Sequence, residues 1–244
     1  MTKTDATDAA TRETVSPALR WAGWSGVAML AVVVVNGPLA ALRGVPSYWS
    51  PEAVTDVGTY LTDTSNLWLA VLFFFLSTLI FVFAIPFFAG LRVLSRSHEA
   101  SGLASGTVLL GAGLFLAGGL VSEVMSTGMA MVVQAAPSYD LDANAALAIQ
   151  GLQFVALIQG QVGLGVVMIA VSLMALKARS AAFAPPGLIS LGLAAGVLDL
   201  LRPLAVTKPP IAIALFVPTF LWIALASYTL IRPRGLPHEH TTSV

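Results

Sequence analysis

Cysteine is absent from all 244 residues of this chain. That excludes disulfide frameworks, thiolate nucleophiles, thiolate metal sites and cysteine-held iron–sulfur clusters. Charge is nearly as scarce. Asp, Glu, Lys and Arg make up 10% of the chain, against roughly 25% in soluble domains, too few to cover a globular surface. The charges also cancel, twelve basic against twelve acidic, so no basic face is available for a nucleic acid. The three histidines all lie outside the long apolar runs, which excludes bis-histidine haem ligation within the membrane and the HExxH zinc motif. A GxSxG nucleophile elbow, a P-loop and a GxGxxG nucleotide fingerprint are missing too. No cofactor is expected.

What is plentiful is apolar: 57% of residues are hydrophobic and mean hydropathy is +0.87. A membrane-spanning helix needs about 20 such residues in succession. Six segments qualify: Trp21 to Leu42, Leu67 to Leu91, Leu103 to about Ala136, about Asn144 to Leu176, Gly187 to Val206, and Ile211 to Ile231. Their runs do not alternate as the strands of a membrane barrel do. The predicted fold class is therefore all-α, a polytopic transmembrane bundle of six spans. It occupies residues 21–232, between a disordered tail over 1–20 and a second tail over 233–244.

Orientation is read from Lys and Arg, which gather on the cytoplasmic side. An N-terminus in the cytoplasm places Lys3, Arg12, Arg20, Arg92, Arg96, Lys177, Arg179, Arg232 and Arg234 inside, nine of the twelve bases. Both termini are expected to be cytoplasmic, in a cell-membrane protein. The first outer loop carries SPEAVTDVGTYL, with Ser50, Pro51 and Glu52 as a helix start. Val54, Val57 and Leu61 follow at helical spacing. A short amphipathic helix over about 50–62 is expected on the outer membrane face, anchored by Tyr48 and Trp49.

With that loop helix, the long second span SNLWLAVLFFFLSTLIFVFAI and the N-in arrangement, the chain resembles a family of bacterial six-helix integral membrane proteins classed as a domain of unknown function. The resemblance covers Trp21 to Arg232 in outline and implies the fold and topology, with no activity and no assigned residues. Small-residue pairs predict where spans pack closely: Gly102 with Gly106, Gly113 with Ala117, Ala156 with Gly160, and Gly192 with Gly196.

Ionisable groups inside spans cost about 2.5–3.5 kcal/mol each at the helix centre and point to function by default. Glu123, Asp199 and Arg202 stand out. Counted from the cytoplasmic ends at about 1.5 Å per residue, Asp199 rises about 18 Å, Asn36 and Arg202 about 22 Å, and Glu123 about 30 Å. Gln159, Gln161 and Thr78 fall at roughly 20–26 Å. Two roles fit this outer-leaflet set. In one, Asp199 and Arg202 neutralise each other at i, i+3, Arg202 snorkels outward, and the amides tie helices together. In the other, Glu123, Asp199, Arg202, Asn36, Gln159 and Gln161 line a cavity that binds a small polar solute or a cation.

Spans three and four exceed the membrane thickness, and their extra turns are expected to project outside. Met125 and Met129 share a face there, suited to apolar packing or to Cu(I). The expected role is a non-catalytic membrane component whose partner is the lipid bilayer. A solute or ion transporter using the outer cavity is the alternative, ranked second because polar groups line one side only. An intramembrane enzyme with Glu123 and Asp199 as acid and base comes third.

Overall fold

A computed structural model of the chain describes residues 17–42, 52–62, 67–97, 102–136, 142–177, 186–205, 211 and 214–232. Among the described residues every regular element is helical. The two predicted tails and the anchors Tyr48 and Trp49 lie outside them.

Helix α1 runs from Pro17 to Leu42, with Pro17 at the first position, where its missing N–H costs nothing. The loop helix α2 spans Ala53–Thr62. Helix α3, Leu67–Ser97, extends six residues past the predicted end. The extension is amphipathic: Leu94 and Ser95 are buried, whereas Arg92 and Arg96 are exposed. The predicted third span is continuous but not uniform. It consists of α4, Leu103–Glu123, a π-helical turn over Val124–Gly128, and α5, Met129–Ala135.

Helix α6 is unbroken from Ala143 to Lys177, about 52 Å at the usual rise. Helix α7, Pro186–Leu201, tightens into a 3-10 turn over Arg202–Ala205. Pro203 explains the change, because its ring clashes with the carbonyl four residues back and it has no N–H to donate. Helix α8 is described from Phe216 to Ile231, with Pro218 in the first turn, where a proline is tolerated. Five helices are long and apolar enough to cross a membrane, and Phe216–Ile231 is a shorter apolar helix. The chain is a multi-pass helical membrane bundle.

Glycine sets the tightest packing, though not at every predicted position. A Cβ on Gly118 of α4 would lie 2.6 Å from the Ala156 carbonyl and 2.7 Å from the Gly160 nitrogen of α6. A Cβ on Gly111 would lie 2.7 Å from the Gly163 carbonyl. Gly192 and Gly196 of α7 are as confined, Gly196 against Gly165 and Ile169. By contrast, nothing lies within 4 Å of a Cβ on Gly102, Gly106 or Gly113. Residues 111 and 118 are two turns apart and share a face, whereas residue 113 is about 200° around from 111. Span three therefore packs on a different stripe from the one its sequence suggested.

The fully buried core contains Phe87, Val108, Val167, Met168, Trp222 and Leu230. These lie late in α3 and α6, early in α4 and from the middle of α8 onward, so they fill the half of the bundle where α1 begins. A smaller cluster forms at the opposite end. There Val57 of α2 packs on Ala130, Val133 and Ala146, with Tyr60 and Met129 alongside, and Gln134 Nε2 donates to the Tyr60 carbonyl at 3.1 Å. Helix α2 is thus held by the overlong ends of α5 and α6. Its buried stripe is Ala53 and Val57, with Val54 exposed. Val57 of the expected stripe is buried, whereas Ala53 takes the place expected for Val54.

Candidate functional site: a polar-tipped cavity and a sealed ion pair

Between the packed core and the end where α1 finishes lies a cavity of about 480 Å³, which shares Met29, Phe115, Leu164 and Ile223 with that core. Its walls come from α1, α3, α4, α6 and α8. Each of the first four contributes one polar side chain: Asn36, Ser77, Glu123 and Gln161. The remaining surface is apolar and rich in phenylalanine, with Phe73, Phe81, Phe115, Phe216 and Phe220.

Asn36 is held by Ser77, since its Nδ2 donates to Ser77 Oγ at 2.8 Å. Its Oδ1 is buried without a hydrogen-bond partner, and so is Oε1 of Gln161. Asn36 is 8% exposed and Gln161 6%, so neither acceptor is met by bulk solvent. A buried polar atom left unpaired costs about 1–3 kcal/mol; among the described residues Gln134, Ser172, Trp222 and Ser227 carry one each as well, but only Asn36 and Gln161 line the cavity, where a ligand could supply the missing partner. Glu123 is half-buried and is the last residue of α4 before the π turn. The Thr127 hydroxyl, one turn on, donates to Glu123 Oε2 at 3.2 Å. π turns often occur at functional sites because the inserted residue re-aims the side chains around it.

Asp199 and Arg202 are elsewhere. Both are fully buried, and neither lines the cavity. Asp199 Oδ1 accepts Nε of Arg202 at 3.0 Å and pairs closely with Nη2. Its Oδ2 accepts the Thr219 hydroxyl of α8 at 3.0 Å. The Arg202 guanidinium stacks 4.0 Å from the centroid of the Phe216 ring. Arg202 therefore turns inward instead of snorkelling, and the pair joins α7 to α8. Phe216 is the partition: one residue contacts the ion pair and also lines the cavity. The physical reason for the separation is topological. Helix α7 packs on α6 and α8 and contributes no residue to the cavity wall.

Of the six residues read from the sequence, the structure brings Asn36, Glu123 and Gln161 together and separates Asp199 and Arg202 from them. Gln159 is a correction. It is exposed on the outer surface of α6, because residues two apart on a helix point about 200° apart, so Gln159 and Gln161 cannot both face one cavity. Glu123 and Asp199 consequently do not share a site as an acid–base pair. Sequence inspection missed Ser77 and Thr219. It selected the neighbouring Thr78, whose hydroxyl instead donates to the Phe74 carbonyl of its own helix at 2.8 Å. Thr219 carried no signal beyond being a hydroxyl in an apolar run. Compared with known proteins, the chain matches no family model, no curated protein and no solved structure.

Proposed function

We propose that this chain is a non-catalytic component of a cell membrane, with six spans and both termini cytoplasmic, and that its outer-half cavity holds a small solute. The sixth span is the one around Phe216–Ile231. The observation that carries the reading is the convergence of two buried, unpartnered acceptors, Asn36 Oδ1 and Gln161 Oε1, with Glu123 on one cavity.

Transport of the solute is the second reading. It draws support from the π turn beside Glu123, a place where a helix can change register. Against it stands the packed half of the bundle around Phe87, Phe88 and Trp222, which gives a polar path no continuation towards the cytoplasm.

Filling the cavity tests the proposal. Val33 lines the cavity and is half-buried, so Val33→Trp adds bulk to its wall. The purified protein is screened by thermal unfolding against inorganic ions and small organic solutes. A ligand at about 100 times its Kd adds about 2.7 kcal/mol of stability. At least one solute is expected to stabilise the wild type and not Val33→Trp. If no solute distinguishes the two proteins, the cavity is only a packing feature and the proposal falls.

A further inference from the structure

We infer that the cavity takes an amphipathic organic cation: a primary ammonium group on an aromatic or branched apolar body. This deepens the proposal that the cavity holds a solute and rests on it. The chemistry comes from the lining. The unsatisfied atoms, Asn36 Oδ1 and Gln161 Oε1, are both acceptors, and Glu123 adds a carboxylate. An ammonium carries three donors and no acceptor, the complement of that set. No Lys or Arg is among the lining residues. The nearby guanidinium of Arg202 lies behind the Phe216 ring and is met by Asp199, so an anion would find no positive partner.

The body of the ligand is set by the rest of the wall. A bare inorganic cation or a small polar solute would leave most of about 480 Å³ unfilled, against a surface of phenylalanine and aliphatic side chains. Sites for small organic molecules span roughly 300–1,000 Å³ and are mostly apolar with a few placed polar groups. The phenylalanines of the wall give an aromatic body a matching apolar surface. The sequence alone suggested a small polar solute or an ion. The lining corrects that to a ligand whose greater part is hydrophobic.

The test uses the full chain in phosphatidylglycerol nanodiscs and four probes: phenylbutylamine, phenylbutanol, phenylbutyrate and n-butylamine. Val33→Trp, which adds bulk to the cavity wall, serves as the blank for partitioning into lipid. Phenylbutylamine is expected to bind about tenfold or more tighter than phenylbutanol, because a hydrogen bond to a charged group outweighs a neutral one. Phenylbutyrate should bind most weakly of the three aromatic probes. Glu123→Gln is expected to abolish the amine's advantage while leaving phenylbutanol unchanged. Gln161→Leu, which removes an acceptor and no charge, should weaken the amine about threefold or more.

Phenylbutanol or phenylbutyrate binding as tightly as the amine overturns the ligand class and leaves the solute site standing. So does n-butylamine binding as tightly as phenylbutylamine, or an amine preference that survives both substitutions. If no probe binds the wild type above the blank, the inference is overturned and the solute-holding proposal loses its support as well. A lipid can supply the same ammonium chemistry, so the series is repeated with phosphatidylethanolamine in the disc. Competition by that lipid assigns the ammonium to a headgroup, and unchanged amine affinity assigns it to a free amine.

Discussion

At the scale of single residues, the most consequential group is a carboxylate sealed from solvent. Asp199 has both oxygens engaged, one by Arg202 and the other by Thr219, in a site that is fully buried. Removing one partner of such a pair strands a charge and costs about 3–5 kcal/mol, whereas replacing both with apolar residues of similar volume is often neutral. Asp199→Ala and Arg202→Ala are therefore each expected to lower the unfolding midpoint in detergent markedly, and the double change to leucine much less. Thr219→Val should cost about 1–3 kcal/mol, the range for a lost hydrogen bond to a charged group. Thermal unfolding of the four variants checks this. If single and double changes are equally harmless, the pair is not desolvated and its role in joining α7 to α8 is wrong.

At the scale of elements, the contact between α4 and α6 is made backbone to backbone. Lipid offers no hydrophobic drive for helices to associate, so close approach through small residues supplies the packing energy. Two glycines two residues apart on α4 make a matched test. Gly111→Ala places a methyl 2.7 Å from the Gly163 carbonyl, which neither backbone can yield, and overpacking of this kind costs about 1–3 kcal/mol. Gly113→Ala meets nothing within 4 Å and should be neutral or stabilising by up to about 1 kcal/mol, the helix preference of alanine over glycine. Equal unfolding midpoints for the two variants would show that α4 has a different rotation. The π turn belongs at this scale too. It adds a residue to the helical ladder and so turns everything beyond it by about 100°. The extension beyond it, α5, buries Ala130 and Val133 against α2.

At the scale of the whole molecule, the proposed orientation rests on nine of twelve bases lying on one side. The absence of cysteine makes it directly measurable, since any introduced thiol is unique. Ser138→Cys is expected to react with a membrane-impermeant thiol reagent in intact cells. Ser97→Cys, beside Arg96, should react only after the membrane is permeabilised. The opposite pattern would invert the bundle and move the cavity to the cytoplasmic half. Asn36, Glu123 and Gln161 would still share that cavity, because their convergence depends on packing and not on orientation.

The helices and most of their boundaries were legible in the sequence, the starts of α1, α2 and α8 and the end of α3 excepted, because hydropathy along a run of residues depends on composition, which needs no partner. The i, i+3 spacing of Asp199 and Arg202 was legible for the same reason, since both lie on one short stretch of backbone. Helix rotation was not. Spans such as α1 and α6 are apolar almost all round, so their sequences carry no phase to say which face turns inward. Helical geometry required that Gln159 and Gln161 diverge, but only the contact of α6 with α4 through Gly118, Gly160 and Gly163 decided that Gln161 faces the cavity. Ser77 in place of Thr78, and Phe216 as a wall between the ion pair and the cavity, were decided in the same way. Depth in the membrane follows from counting along one helix, whereas convergence is a relation among five helices, and it exists only once they are packed.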